Sequence, residues 1–453
     1  MREASARSPR AAKRRPTMRM RTEAWGLLDQ CLVSGVNFLT VILLARTLVP
    51  ASFGYFVLAF TLLQTAGTLQ AALVTRPHNV LGAARFGRAY ADYSTTAAVV
   101  QVVLTAALTG VALAAAAVAY AIDSSHTQLL FALVPALAAW QLQELGRRML
   151  YTEGRLAAAS ATDLVAYGGQ ATALVVLWQL DLLTGPRALL TLAGAFAVGA
   201  AVNALQLRPA LSGTLDASAL SANWNFGKWL GVAEIGQWFS TQFYIYLAGA
   251  VVGAVASAAL KAGQTLLGPM SVFLTFVTAY LPTVLTRELR ASGTIRSQTR
   301  RSLTAILPVV LVYCVAVAVF AEPALGAVYG EEYTGYADVV RLFALYYVLL
   351  AFSTVAIAVL SAREMTRDVF RGQAAGAAVS LAIGWLLLRE MGPAGGVTGM
   401  LLSWAVAMIF FLRAIRTAPE GRENGAYMHQ GVSTASAVGS GSTGDRADAR
   451  GAT

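Results

Sequence analysis

Residues 94–120, which read STTAAVVQVVLTAALTGVALAAAAVAY, decide the fold class. The stretch contains no charged side chain and a single glutamine, Gln101. An α-helix rises about 1.5 Å per residue, so about 20 apolar residues cross the hydrocarbon core of a bilayer. We therefore predict a transmembrane helix over these residues.

Blocks of the same kind recur from residue 24 to residue 416. Of the 453 residues, 57% are hydrophobic and only 13% are charged, whereas soluble proteins carry about a quarter charged residues. We therefore predict an all-α polytopic membrane protein. Its twelve transmembrane helices are expected at 24–46, 53–75, 94–120, 128–150, 156–179, 188–207, 226–250, 254–283, 301–321, 337–361, 371–389 and 395–416.

The basic residues are unevenly distributed between the two sides of this bundle. With the N-terminus in the cytoplasm, all but five of the 34 Lys and Arg residues fall in cytoplasmic segments or at cytoplasmic helix ends. The five exceptions are Arg46, Arg187, Lys261, Arg341 and Arg389. Because positive charge resists translocation, this bias predicts that both termini are cytoplasmic.

Hydropathy and loop pattern divide the chain into two halves of six helices. We name residues 24–207 the N-half and residues 226–416 the C-half, with a cytoplasmic linker at 208–225 between them. A basic cytoplasmic segment, 1–23, precedes the N-half, and a polar tail, 417–453, is expected to be disordered. Two halves of the same orientation around a central cleft are typical of transporters.

The sequence contains no motif of a soluble enzyme. It has no P-loop and no glycine fingerprint for a dinucleotide. Cys31 and Cys314 fall inside predicted helices and the three histidines form no cluster, so we predict no metal site. We expect no catalytic residue, no cofactor and no nucleic-acid partner, and we predict that the chain is not an enzyme.

Ionisable groups at membrane depth are the candidates for function, because a charge in hydrocarbon is costly unless it faces a cavity or a partner. Lys261 lies in the eighth predicted helix, with Gln264 three residues later, and Glu234 lies in the seventh, with Gln237 three residues later. Asp29 is close to the position equivalent to Glu234 in the other half. We expect Asp29 and Glu234 to face the central cleft at the same level.

Each candidate also has a structural alternative. Lys261 and Arg341 could extend to the periplasmic surface, and Lys261 could form an ion pair with Glu234. Glu144 and Asp163 lie near arginines in neighbouring helices, where helix–helix pairing explains them at least as well as transport does.

Four stretches carry a resemblance to a known family: LARTLVPASFGYF at 44–56, YLPTVLTRE at 280–288, VYGEEY at 328–333 and GPAGGVTG at 392–399. They resemble the multidrug/oligosaccharidyl-lipid/polysaccharide (MOP) exporter superfamily, in its Wzx-type polysaccharide flippase branch. The resemblance covers about residues 24–416. The second half departs from it at 254–259, where AVASAA replaces the family's Gly-x-Tyr turn.

The resemblance implies a MATE-like fold and a flippase for a polyprenyl-diphosphate-linked oligosaccharide in the bacterial inner (cytoplasmic) membrane, acting in surface or exopolysaccharide biosynthesis. The cations expected to neutralise the diphosphate are Lys261, Arg46, Arg76 and Arg341. Ion coupling would use Asp29 or Glu234. The expected partners are the lipid-linked oligosaccharide, membrane lipids, and a polysaccharide polymerase with glycosyltransferases.

Two alternatives stay open from the sequence. The same fold could serve an ion-coupled antiporter for drugs or small cations, which would need acidic and aromatic side chains in the cleft. The chain could instead be a non-transporting membrane scaffold that recruits biosynthetic enzymes through its basic loops.

Overall fold

A computed structural model describes residues 16–84, 86, 89–292 and 294–417. Within its helices, the side chains of 16–28, 83–84, 229–230, 232–237, 239–240, 279 and 290 are outside this description. Most of the basic N-terminal segment and almost all of the tail therefore lie outside the described residues, and the expected disorder of the tail stays a prediction.

The described chain is helical and contains no strand. Its α-helices are α1 (Pro16–Thr47), α2 (Pro50–Gln70), α3 (Arg76–Ala84), α4 (Tyr90–Ala121), α5 (Thr127–Thr152), α6 (Leu156–Gln179), α7 (Gly185–Gln206), α8 (Ala217–Thr241), α9 (Phe243–Val251), α10 (Ala254–Leu266), α11 (Gly268–Ser292), α12 (Arg296–Val319), α13 (Ala321–Tyr329), α14 (Ala337–Ala362), α15 (Thr366–Met391) and α16 (Pro393–Thr417). A π-helix, Ala71–Thr75, joins α2 to α3, and a 3₁₀-helix, Glu331–Tyr336, precedes α14.

The predicted fold class is confirmed: the chain is an all-α multi-pass membrane protein. Ten helical segments of the described chain are long and apolar enough to cross a bilayer. Two of the twelve predicted transmembrane helices are not among these ten. One is α6, in which Asp163 and Gln170 lower the mean hydropathy, and the other is the segment 226–250, which is divided between α8 and α9.

The eighth predicted helix, 254–283, is also divided, between α10 and α11 at Leu267. Pro269 has no N–H to donate to the carbonyl four residues before it, so a continuous helix would lose a hydrogen bond here. Pro77 has the same effect next to the π-helix. There the carbonyl of Leu73 accepts a 2.6 Å hydrogen bond from the Asn223 side chain of α8.

The helix ends define two faces of the bundle. The basic face is the one whose turns carry Arg155, Arg208 and Arg296. The acidic face is the opposite one, whose turns carry Asp123 and Asp181. The basic face is the one expected to be cytoplasmic.

The orientation can be tested by thiol labelling in a chain whose two cysteines are replaced by serine. Cysteines at Glu331 or Asp123, which are exposed at the acidic face, should react with a membrane-impermeant thiol reagent in intact cells. Cysteines at Ser297 or Thr366, exposed at the basic face, should react only after permeabilisation. Labelling at position 297 in intact cells would contradict the predicted orientation.

Candidate functional site

A cavity of about 520 Å³ lies between the two halves. Its walls come from α1 and α2 of the N-half and from α10, α11 and α14 of the C-half. Two helix breaks reach it, because Gln242 at the α8–α9 break and Gly268–Pro269 at the start of α11 both line the cavity. Interrupted helices at a central cleft are common in secondary transporters.

The cavity wall is rich in uncharged polar groups. Among the described side chains that line it, Lys261 is the one charged group, and no carboxylate does so. The cavity therefore combines one cation with many hydrogen-bonding groups. The neutral polar side chains are Ser34, Asn37, Gln64, Gln242, Gln264, Thr265, Ser271 and Tyr347.

Lys261 is buried in α10, with 8% of the residue exposed. Its Nζ lies 3.4 Å from Oε1 of Gln264 and 5.7 Å from the centre of the Phe60 ring, a cation–π distance. No described carboxylate forms an ion pair with it. The side chain faces the cavity and does not extend to the acidic surface.

The other candidates from the sequence lie elsewhere. Arg46 is exposed at the end of α1 and hydrogen-bonds to carbonyls at the end of α13, and exposed Arg341 pairs with Asp338 at 2.7 Å. Arg76 is exposed at the start of α3. These three arginines do not line the cavity. The side chains of Glu234 and Gln237 lie outside the described residues, so their position in the cleft stays a prediction.

Asp29 belongs to a buried ionic cluster inside the N-half, and the expectation that it faces the central cleft was wrong. One of its carboxylate oxygens accepts a hydrogen bond from the hydroxyl of Tyr151 and lies 3.8 Å from Nη1 of Arg147. The same Nη1 lies 3.3 Å from a carboxylate oxygen of Asp163. Asp29 is 2% exposed and Asp163 is fully buried, so Arg147 joins α1, α5 and α6 through charge.

Further contacts complete the cluster. Glu144 lies 2.6 Å from Nη2 of Arg147 and 2.7 Å from Nε of Arg148, while Gln143 donates a 2.6 Å hydrogen bond to Asp163. The sequence indicated the pairing of Glu144 with its neighbours through their spacing of three and four residues. It gave no signal for the contact with Asp29, which is more than 100 positions away.

The two halves touch at both faces of the bundle. At the acidic face, Nε of Arg46 donates a 2.8 Å hydrogen bond to the carbonyl of Val328. Nearby, α2 and α10 approach so closely at Gly54 that a Cβ there would overlap the backbone of Ala254. At the basic face, α8 and the π-helix approach so closely at Gly227 that a Cβ there would lie 2.9 Å from the carbonyl oxygen of Ala72. These contacts would have to break for either face to open.

No protein-family model and no curated protein sequence matches the chain. Solved structures do. A multidrug-resistance MATE transporter of the MOP superfamily in an inward-facing conformation is 13% identical, with 86% of this chain and 96% of that chain covered and a TM-score of 0.66. The lipid II flippase MurJ in an inward closed conformation is 10% identical, with 88% of each chain covered and a TM-score of 0.65. A Vibrio cholerae MATE transporter, VcmN, is 15% identical, with 88% and 97% covered and a TM-score of 0.61.

The structural neighbours are thus MOP superfamily transporters, and the chain has a MATE-like fold.

Proposed function

We propose that this chain is a transporter that flips a polyprenyl-diphosphate-linked oligosaccharide, of the undecaprenyl type, between the leaflets of the bacterial inner membrane. The observation that carries the proposal is the cavity between the halves, where the charged lining group among the described residues is a lysine. A phosphate group that leaves water loses the hydration that stabilises its negative charge, and a nearby cation can replace that stabilisation. An organic cation would be repelled by it.

The headgroup of a lipid-linked sugar cannot cross hydrocarbon unaided, because each polar group would lose its hydrogen bonds to water. The amide and hydroxyl groups around Lys261 supply replacements, while the polyprenyl tail stays in the lipid. Rocking of the two halves around the cavity would then expose it to each face in turn. Among the structural neighbours, MurJ is described as a lipid II flippase.

Ion coupling through Asp29 is part of this proposal. Its Oδ1 is buried and accepts no hydrogen bond from the described residues. The cluster around it holds three carboxylates, from Asp29, Glu144 and Asp163, against two guanidinium groups, from Arg147 and Arg148. The excess negative charge is what a coupling proton would neutralise.

The proposal is tested with the purified full-length chain in liposomes. We expect it to move a fluorescent undecaprenyl-diphosphate oligosaccharide to the opposite leaflet faster than protein-free liposomes do, as read by an impermeant glycosidase. An imposed pH gradient should change the rate in the wild type and not in Asp29→Asn. Efflux of an organic cation without lipid flipping would instead support the antiporter. Folded protein with neither activity would support the scaffold.

A further inference from the structure

The linker between the two halves is bound to the start of α4. The backbone N–H of Thr214 donates a 2.6 Å hydrogen bond to the carboxylate of Asp92. The backbone N–H of Asp216 donates a 3.0 Å hydrogen bond to the hydroxyl of Thr96. At Gly213 the two segments are so close that a Cβ would lie 2.4 Å from backbone atoms of α4. This part of the linker is therefore packed on the N-half and is not a loose tether.

The attachment continues into the first two turns of α8. The side-chain amide of Asn223 donates a 2.6 Å hydrogen bond to the carbonyl of Leu73 in the π-helix. Its oxygen accepts a 3.1 Å hydrogen bond from the hydroxyl of Tyr93 on α4. Asn223 is buried, and Ala219, one turn before it, is fully buried. Buried hydrogen bonds of this kind are costly to break, so the start of α8 is fixed to the N-half.

The rest of α8 packs on the other half. The helix continues without interruption to Thr241, and it contacts α15 and α16 of the C-half. One helix is therefore joined to both halves. If the halves rotate relative to each other, α8 has to bend or to lose its contacts with one of them.

Two glycines lie where bending would be easiest. Gly227 and Gly231 follow Asn223 at intervals of four residues and lie on the same side of α8. Glycine has no Cβ and leaves the backbone more freedom, and helices often kink at such positions. The close approach of Gly227 to the π-helix is a packing contact, and a Cβ at Gly231 would lie 3.9 Å from the side chain of Leu73. Such contacts can separate while the hydrogen bonds of Asn223 persist.

We propose that residues 208–223 move as part of the N-half, and that α8 bends between Asn223 and Gly231 when the halves rock. We name residues 224–231 the hinge. This inference rests on the rocking motion in the proposed function. It places the pivot inside a helix that enters the C-half and not in the linker that precedes it.

The hinge is tested by stiffening α8 with a short bis-maleimide in the chain whose own cysteines are serine. Cysteines at Trp224 and Lys228 are four residues apart, and a bridge between them spans Gly227 and holds the helix straight. Bridging should slow flipping in liposomes about tenfold or more, because bending then has to strain the bridge. Ala217 and Ser221, exposed and equally spaced in the fixed part of α8, form the matched control pair. Bridging that pair should leave the flipping rate unchanged.

Equal slowing by the two bridges, or no slowing by either, would overturn the hinge and leave the proposed function standing. A second measurement does not depend on flipping. A spin label at Leu215 in the linker is paired either with one at Ala157 of α6 or with one at Thr366 of α15, all of them exposed. Pulsed electron paramagnetic resonance should give a narrow distance distribution for the first pair and a broader one for the second.

This measurement keeps the two proposals apart. If the first distribution is as broad as the second, the linker does not move with the N-half and the inference is overturned. If the wild type flips no lipid-linked oligosaccharide, the proposed function fails, and the two distance distributions still decide whether the linker belongs to the N-half.

Discussion

Arg147→Met is expected to lower the free energy of unfolding by about 3–5 kcal/mol, the cost of removing one partner from a buried ion pair. The guanidinium group lies within 4 Å of carboxylate oxygens of Asp29, Glu144 and Asp163. Methionine replaces the volume and leaves the carboxylates of Asp29 and Asp163 without a cation. Thermal and denaturant unfolding of the purified protein in detergent would measure the effect.

The adjacent Arg148 provides the matched control. Its side chain is 40% exposed and pairs with Glu144 alone, so Arg148→Met should cost only about 0–1 kcal/mol, as is usual for exposed pairs. Adding Asp163→Asn to Arg147→Met should recover part of the lost stability, because asparagine removes a charge and its Oδ1 can still accept from Gln143. Equal stability of the two single variants would show that the cluster does not hold the N-half together.

The sequence predicted the fold well because a membrane imposes a simple rule. Every backbone polar group in hydrocarbon must be satisfied within the chain, so long apolar blocks become helices. The block at 94–120 appears within α4 for this reason. The helix breaks were harder to predict. Pro269 lies inside an apolar block, and whether a proline ends a helix or only kinks it depends on the neighbouring helices.

The candidate site was only partly predictable for a related reason. Lys261 and Gln264 are three residues apart on one helix, so their joint position in the cavity follows from helical geometry. Asp29 and Arg46 both lie on α1, yet one contacts α5 within the N-half and the other contacts the end of α13. Such contacts depend on how distant helices pack, which hydropathy does not encode.

Lys261 is the residue for which we expect the largest effect on transport. If its charge holds the phosphate, Lys261→Arg should retain much of the flipping activity. Lys261→Met should lower the flipping rate about 10- to 100-fold, which corresponds to the loss of one hydrogen bond to a charged group, at about 1.5–3 kcal/mol. Lys261→Glu should lose more, because it places a carboxylate against the phosphate. Flipping is measured in liposomes and normalised to folded protein.

Lys228→Met is the matched control. This lysine in the middle of α8 donates a 2.9 Å hydrogen bond to Asn225, does not line the cavity, and should be dispensable for flipping. A fully active Lys261→Met would contradict the phosphate-binding role.

The same series separates a structural role from a binding role. If Lys261 instead neutralises Glu234, whose side chain lies outside the described residues, Lys261→Met should be poorly folded because it leaves a buried carboxylate unpaired. The double variant Lys261→Met with Glu234→Gln should then recover both folding and transport. Under the binding role, the single variant folds normally and the double variant stays inactive, because no cation remains in the cavity to replace the water around the phosphate. We expect the second result, because Nζ of Lys261 contacts an amide and an aromatic ring and pairs with no carboxylate of the described residues.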